Sequence, residues 1–184
     1  YDESAGWSDW EVIGEVNIYS VIWSPKAIDI TSFAGQKVRF AFNHIVDTSY
    51  EGAGWYIDNI EVIKNVPNFQ GDFEDGWGDS YAENGIWEIG TPPEVSKPNY
   101  GPGGPYEGSN CIGTVIDGQY SDYTNSRFVI PSQILPALST PEDEIFLRFW
   151  TWFNYNSPDY GNVEISIYDE SAGWSDWEVI GEVN

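Results

Sequence analysis

Cysteine, methionine, histidine and positive charge are all scarce in this chain. Cys111 is alone among 184 residues, so no disulfide can form within the chain. Stability must then come from a packed core or from bound metal. Within SNCIGTVI, Cys111 reads as a small buried hydrophobe rather than a reactive thiol. Histidine occurs once, at His44, in an alternating segment beside Phe42, where it reads as a strand residue rather than a base. No Ser/His/Asp triad, His cluster, CxxC pair or phosphate-cradling loop is evident. Two carboxylates can hydrolyse a glycoside, but with 30 acids present the nearness of some pair carries no information. The chain is therefore not expected to be an enzyme. Seven Lys and Arg stand against those 30 acids, for a net charge of −23. Such a field repels nucleic acid and anionic membranes. No apolar run approaches the roughly 20 residues of a spanning helix, so no membrane insertion is expected. An initiating methionine and a signal peptide are also missing, which reads the chain as a piece of something longer.

What the chain does have is aromatic residues, turn residues and a repeat. Ten Trp, 12 Tyr and 9 Phe accompany 19 Gly and 11 Pro, a composition of β-structure with many turns. The first seventeen residues, YDESAGWSDWEVIGEVN, recur letter for letter as the last seventeen, an offset of 167. Divergent duplication would have scattered substitutions through the match. The chain reads as a window cut from a tandem array of near-identical units. One copy of the segment carries five acids and no base, so a single unit holds −18.

Strand-like stretches dominate: 11–23, 37–45, 54–63, 85–90, 109–116, 127–130, 144–155, 162–169 and 176–183. In KVRFAFNH, Val38, Phe40 and Phe42 point one way, and Lys37, Arg39 and Ala41 the other. In NVEISIYD, Val163, Ile165 and Ile167 are expected inward, and Glu164, Ser166 and Tyr168 outward. The stretch EIFLRFWTWFNY is apolar on both parities, as suits a strand covered on both faces. Residues 162–169 and 176–183, joined by a turn with Gly173, read as a β-hairpin. The whole predicts an all-β, two-sheet antiparallel sandwich.

The best natural junction is 65–68, where a Pro follows a strand and an acidic, Gly-rich stretch begins. On this reading 1–64 is the C-terminal part of one unit and 69–184 the N-terminal part of the next. The halves complement each other within a chain or between chains. One seventeen-residue copy is left over. Its apolar positions, Trp10, Val12 and Ile13 beside Asp9, or Trp177, Val179 and Ile180 beside Asp176, make it a candidate inter-unit strand.

Four segments together resemble one family. Asp72-Phe73-Glu74 followed by Asp75-Gly76-Trp77 is similar to the opening of MAM-type domains and their bacterial relatives, including the accessory domains of immune-inhibitor-A-like metallopeptidases. SNCIGTVIDGQY with 126–131, YGNVEISIYDESAGWSDW, and GWYIDNIEV resemble the later motifs of that family. They cover most of a unit if 66–184 is read before 18–64. The resemblance implies an extracellular, non-catalytic jelly roll. It also implies a bound cation, often calcium, between the opening motif and the closing strand. Glu74 and Asp58 match the family's ligand positions, Asp72 is a third candidate, and Asp79 or a nearby carbonyl completes the set. Carboxylates from opposite ends of a fold suit a hard cation that takes 6–8 oxygens. The alternative is that these acids lie on solvated turns or cap backbone N–H groups. Asn59, where the family has a second Asp, and the missing cysteine pair are departures.

Aromatics near Gly-rich loops, Trp7/Trp174, Trp77, Trp87, Tyr100, Tyr106 and Tyr123, either stack on sugars or cover the ends of the sandwich. The leading expectation is a structural repeat unit of an extracellular microbial fibre or surface stalk, calcium-stabilised and joined to copies of itself through shared or exchanged strands. The alternative is a carbohydrate-binding or adhesin module that meets surface glycans.

Overall fold

A computed structural model describes residues 22–47, 52–64, 66–94, 101–156 and 158–183, with the side chains of 66–69 excepted. The elements in chain order are β1 (Ser24–Asp29), a single 3-10 turn at Thr31–Phe33, β2 (Lys37–Ile45), β3 (Gly54–Lys64), β4 (Val66–Gly71), β5 (Tyr81–Glu83), β6 (Glu88–Gly90), β7 (Cys111–Gly113), β8 (Asn125–Val129), β9 (Gln133–Ile134), β10 (Phe146–Asn154), β11 (Tyr160–Asp169), β12 (Gly173–Trp174) and β13 (Glu178–Val183). The described residues contain no α-helix.

Two antiparallel sheets form a sandwich. One runs β1-β10-β3-β7-β6, with β4 also paired to β3. The other runs β12-β11-β2-β8-β5, with β13 on β11 and β9 on β2. Alternation explains the inner faces: Val38, Phe40 and Phe42 are buried from β2, and Val163 and Ile165 from β11. Across the gap stand Trp55, Ile57, Leu147 and Phe149. Phe42 meets Trp55 edge-on at 5.6 Å and Phe149 at 5.1 Å, the T-shaped geometry that aromatic quadrupoles favour.

The outer faces are covered as well, which alternation alone does not foresee. On one sheet Ala53, Tyr56, Cys111 and Trp152 form a second apolar cluster, joined by Trp23 and Ile116. This is why β10 is apolar on both parities. Burial pushes the Cys111 thiol pKa up, in keeping with an inert hydrophobe. On the other sheet Glu164 and Ser166, expected outward, are buried. The β11–β13 hairpin folds a roof of aromatics over this face. Trp177 covers Arg39 at 4.4 Å and Arg127 at 5.8 Å, Trp174 covers Arg39 at 4.8 Å, and Tyr168 covers Lys37 at 4.5 Å. Beneath it Arg127 Nε donates to Glu164 Oε2 at 2.6 Å, and Asn43 donates to Glu164 Oε1.

The C-terminal copy of the repeated segment is thus built into the sandwich. Tyr168 pairs with Trp174, and Gly161 through Ile165 run against Val183 back to Glu178. Ile180 packs on the core and Val183 is buried, while Val179 faces outward. Asp176 lends its carbonyl to Ser175. The first copy, with Asp9, Trp10, Val12 and Ile13, lies outside the described residues.

Strands from before and after residue 65 interleave in both sheets: β3 lies between β10 and β7, and β2 lies between β11 and β8. The stretch read from sequence as a junction continues straight into a strand, β4, which returns along β3 from Lys64↔Val66 to Ile60↔Gly71. Its single Pro and lack of alternation hide it from a pattern search.

Candidate functional site

An irregularity in β3 builds the site. The β3–β10 register slips between Arg148 and Trp150, and at that place Asn59 adopts φ 46°. Asn and Asp tolerate this left-handed conformation better than other residues with a Cβ, so the position suits the Asn found here as well as the Asp of the resembled family. The kink turns Asp58 under the loop that precedes β7. Asp58 is fully buried. It accepts from the backbone N–H of Asn59 at 2.8 Å, Tyr106 at 3.0 Å and Glu107 at 3.2 Å. Asn59 Nδ2 donates to Glu107 Oε2 at 2.9 Å.

Glu74, after the β4 strand, holds the same loop from the other side. Its Oε1 accepts from Ser109 N and Asn110 N, both at 2.9 Å. Gly108 makes that approach possible: it has φ 69°, and a Cβ there would collide with the Glu74 carboxylate. Asp72 Oδ1 accepts from Glu74 N at 3.3 Å. Between β3, β4 and the loop lies a cavity of about 380 Å³ lined by Asn59, Glu61, Asp72, Glu74, Glu107 and Gly108 among others, with four carboxylates and no Lys or Arg.

The electrostatics match the geometry. Burial raises the Asp58 pKa to about 6; its three N–H bonds oppose the shift and the nearby Glu74 charge adds to it. The N–H groups of Asn110 and Ser109 hold Glu74 below the usual carboxylate range. Asp72 and Glu74 line the cavity; Asp58 is not in its lining, but it holds the same loop from the β3 side and feels the Glu74 charge. Asp58 and Glu74 also do what the alternative reading describes, and cap backbone N–H groups. The oxygen donors suit a hard cation, but among the described residues no three acidic groups gather closely enough to hold one. Asp79 is elsewhere: it lines a separate hollow with Arg39, Tyr81 and Trp174. Glu61 and Glu107 were missed from sequence. Neither sits in an acidic motif, and only the fold brings residue 107 to residue 59.

Beside the acidic cavity, and sharing Asn59, Glu61 and Glu107 with it, runs an open groove of about 570 Å³. Tyr106 lies flat on Trp150 there, with centroids 3.8 Å apart, and Trp23 meets Tyr106 edge-on at 6.5 Å. Lys26 and Arg148 line the same groove. Of the other aromatics weighed for sugar stacking, Trp87 is buried in the core and Trp77 packs against it. Tyr123 is exposed, and Trp174 belongs to the aromatic roof. Trp7, the counterpart of Trp174 in the first copy, and Tyr100 lie outside the described residues.

His44 is no base. It is fully buried, its Nδ1 shares a hydrogen bond with the Tyr155 hydroxyl at 2.8 Å, and burial lowers its pKa to about 3. Asp159 is structural as well: it is buried and accepts from Tyr120 OH at 2.7 Å and Asp47 N at 3.0 Å.

No family model matches the chain, and no solved structure matches it. A stretch of 55 residues is 34% identical to part of Bacillopeptidase F of Bacillus subtilis (strain 168). The match covers 30% of this chain and 4% of that protein. A peptidase activity does not follow from so small a share. No helix among the described residues is long and apolar enough to cross a membrane.

Proposed function

We propose that the chain is a non-catalytic structural unit of an extracellular microbial fibre, filament or stalk, built from tandem copies. One observation carries this reading. The segment that recurs at both ends is a working part of the sandwich, since its second copy supplies β12, β13 and the aromatic roof. A segment with that role recurs unchanged where whole units follow one another. The acidic surface keeps neighbouring units soluble and apart. Electron microscopy of the native material, or of a chain with several repeats, is expected to show filaments with a regular axial period. Single particles at high concentration, calcium present, would overturn the reading.

A divalent cation, calcium by its preference for oxygen, belongs to the same proposal; binding it would draw Asp58, Asp72 and Glu74 closer together than they stand without it. It would tie the end of β4 and the turn after it to β3. Calcium at a hundredfold over its Kd is expected to add about 2.7 kcal/mol of stability and raise Tm by several degrees, reversed by chelator. An unchanged Tm would remove the cation from the proposal. The groove with Tyr106 and Trp150 supports the alternative, a glycan-binding module, because an aromatic face flanked by charged groups of both signs suits a sugar. Glycan binding that disappears in Tyr106→Ala would shift the reading to that alternative.

A further inference from the structure

The path of the chain through the sandwich comes close to closing on itself. The segment 24–64 reaches its place from two directions. On one side, one residue in the sequence separates the paired Lys64 and Val66, which joins β3 to β4. On the other, the end of β13 lies against β1: Lys26 Nζ donates to the Glu182 carbonyl at 3.2 Å, and a Cβ at Gly181 would stand 2.8 Å from Ile28 Cδ1. Val183 corresponds to Val16 in the first copy, and only 17–23 lie between Val16 and Ser24. In a tandem chain the same seven residues would lead from each β13 to the next β1. Both routes are short, and a linear array can use only one of them inside a given sandwich.

The segment also cannot be spared. It carries β2 and β3, which separate β11 from β8 and β10 from β7. Without it neither sheet is continuous, and the inner faces of Trp55, Phe40 and Phe42 have no replacement.

We propose that 24–64 is an exchangeable closing segment: the 66–183 portion of a second copy of this chain accepts it in place of its own. Exchange replaces every contact by an identical one, so its cost is mainly that of bringing two copies together. Neighbours tethered in an array have already met that cost through high effective concentration. The connection between Lys64 and Val66 is one residue shorter than the commonest hairpin loops, and short hinges favour exchange. The neighbour's identity rests on the array reading above; the exchange itself is testable on the isolated chain.

Glu61 and Arg148 are register partners on β3 and β10, bridged at 3.0 Å on the outer face. The Glu61→Cys and Arg148→Cys variants are mixed, unfolded, refolded together at high concentration and oxidised. The expected product is a disulfide-linked heterodimer. Its fraction should rise with concentration and stand several-fold above a control mixture of Glu61→Cys with Tyr123→Cys, whose cysteine would sit on an exposed loop. Light scattering on the unmodified chain, refolded the same way, should show a dimer that persists on dilution. Heterodimer at the control level together with a monomer at every concentration would overturn the exchange. Filaments without the cross-link would keep the array and discard exchange; the cross-link without filaments would do the reverse.

Discussion

Asp58→Ala is expected to cost about 3 kcal/mol, because three backbone donors lose the carboxylate that accepts from them. Asn59 N, Tyr106 N and Glu107 N all point at this group, and with it goes the anchor of the loop that lays Tyr106 on Trp150. Asp58→Asn keeps the volume but turns an amide N–H₂ towards one set of donors, so it should fall between wild type and alanine. Chemical denaturation at neutral pH measures both. The pH dependence has a definite sign. The folded pKa of about 6 lies above the ordinary value of 3.8. The part of its contribution that depends on holding a proton is therefore full below about pH 3.8 and is lost as pH rises through about 6, while acceptance from the three N–H groups persists at neutral pH. Asp58→Asn should flatten that part of the profile. Calcium, which favours the ionised carboxylate, should stabilise the wild type more at pH 7 than at pH 5.

Trp55→Ala is expected to be more damaging still, about 4 kcal/mol, with Tm lower by roughly 10 °C. Trp55 is fully buried, donates from Nε1 to Thr151 Oγ1 at 2.7 Å, and packs near Phe42 and Trp87. Its ring also lies against Gly161, where a Cβ would come within 2.6 Å of Trp55 Cε3 and 2.8 Å of Val183 Cγ2. One indole thus braces β3, β11 and the last strand of the repeated segment together. Thermal denaturation reads the effect. A shift of only a degree or two would mean that the two sheets are not packed through this residue.

Much of this frame could be read before any coordinates. The periodicity of β2 and the two-sided apolar run of β10 follow directly from residue order, and so does the hairpin at the end of the chain. The strands β1 and β4 escaped because SPKAID and VPNFQG carry prolines and no clean alternation. Glu164 and Ser166 were placed on the correct face, but that face is covered by Asn43 and Arg127 from other strands and by the returning chain at Ser175, which a period of two cannot register. The site was half legible. Motifs picked out Asp58 and Glu74, which hold one loop from two sides, and added Asp72, whereas Glu107 arrives through a loop 49 positions away from Asp58 with no pattern of its own. Asp79 looked equivalent only because it lies near the same motif in sequence.

The distribution of positive charge has an outcome for the durability of the molecule. All six described bases lie on strands: Lys26, Lys37, Arg39, Lys64, Arg127 and Arg148. A digestive enzyme that cuts after Lys or Arg needs a stretch of loose, extended chain around the target bond. At these six positions it would have to melt part of a sheet first, and at three of them also lift an aromatic ring. Acids, by contrast, populate loops such as those of Asp117, Asp122 and Glu142, where enzymes of that specificity do not cleave.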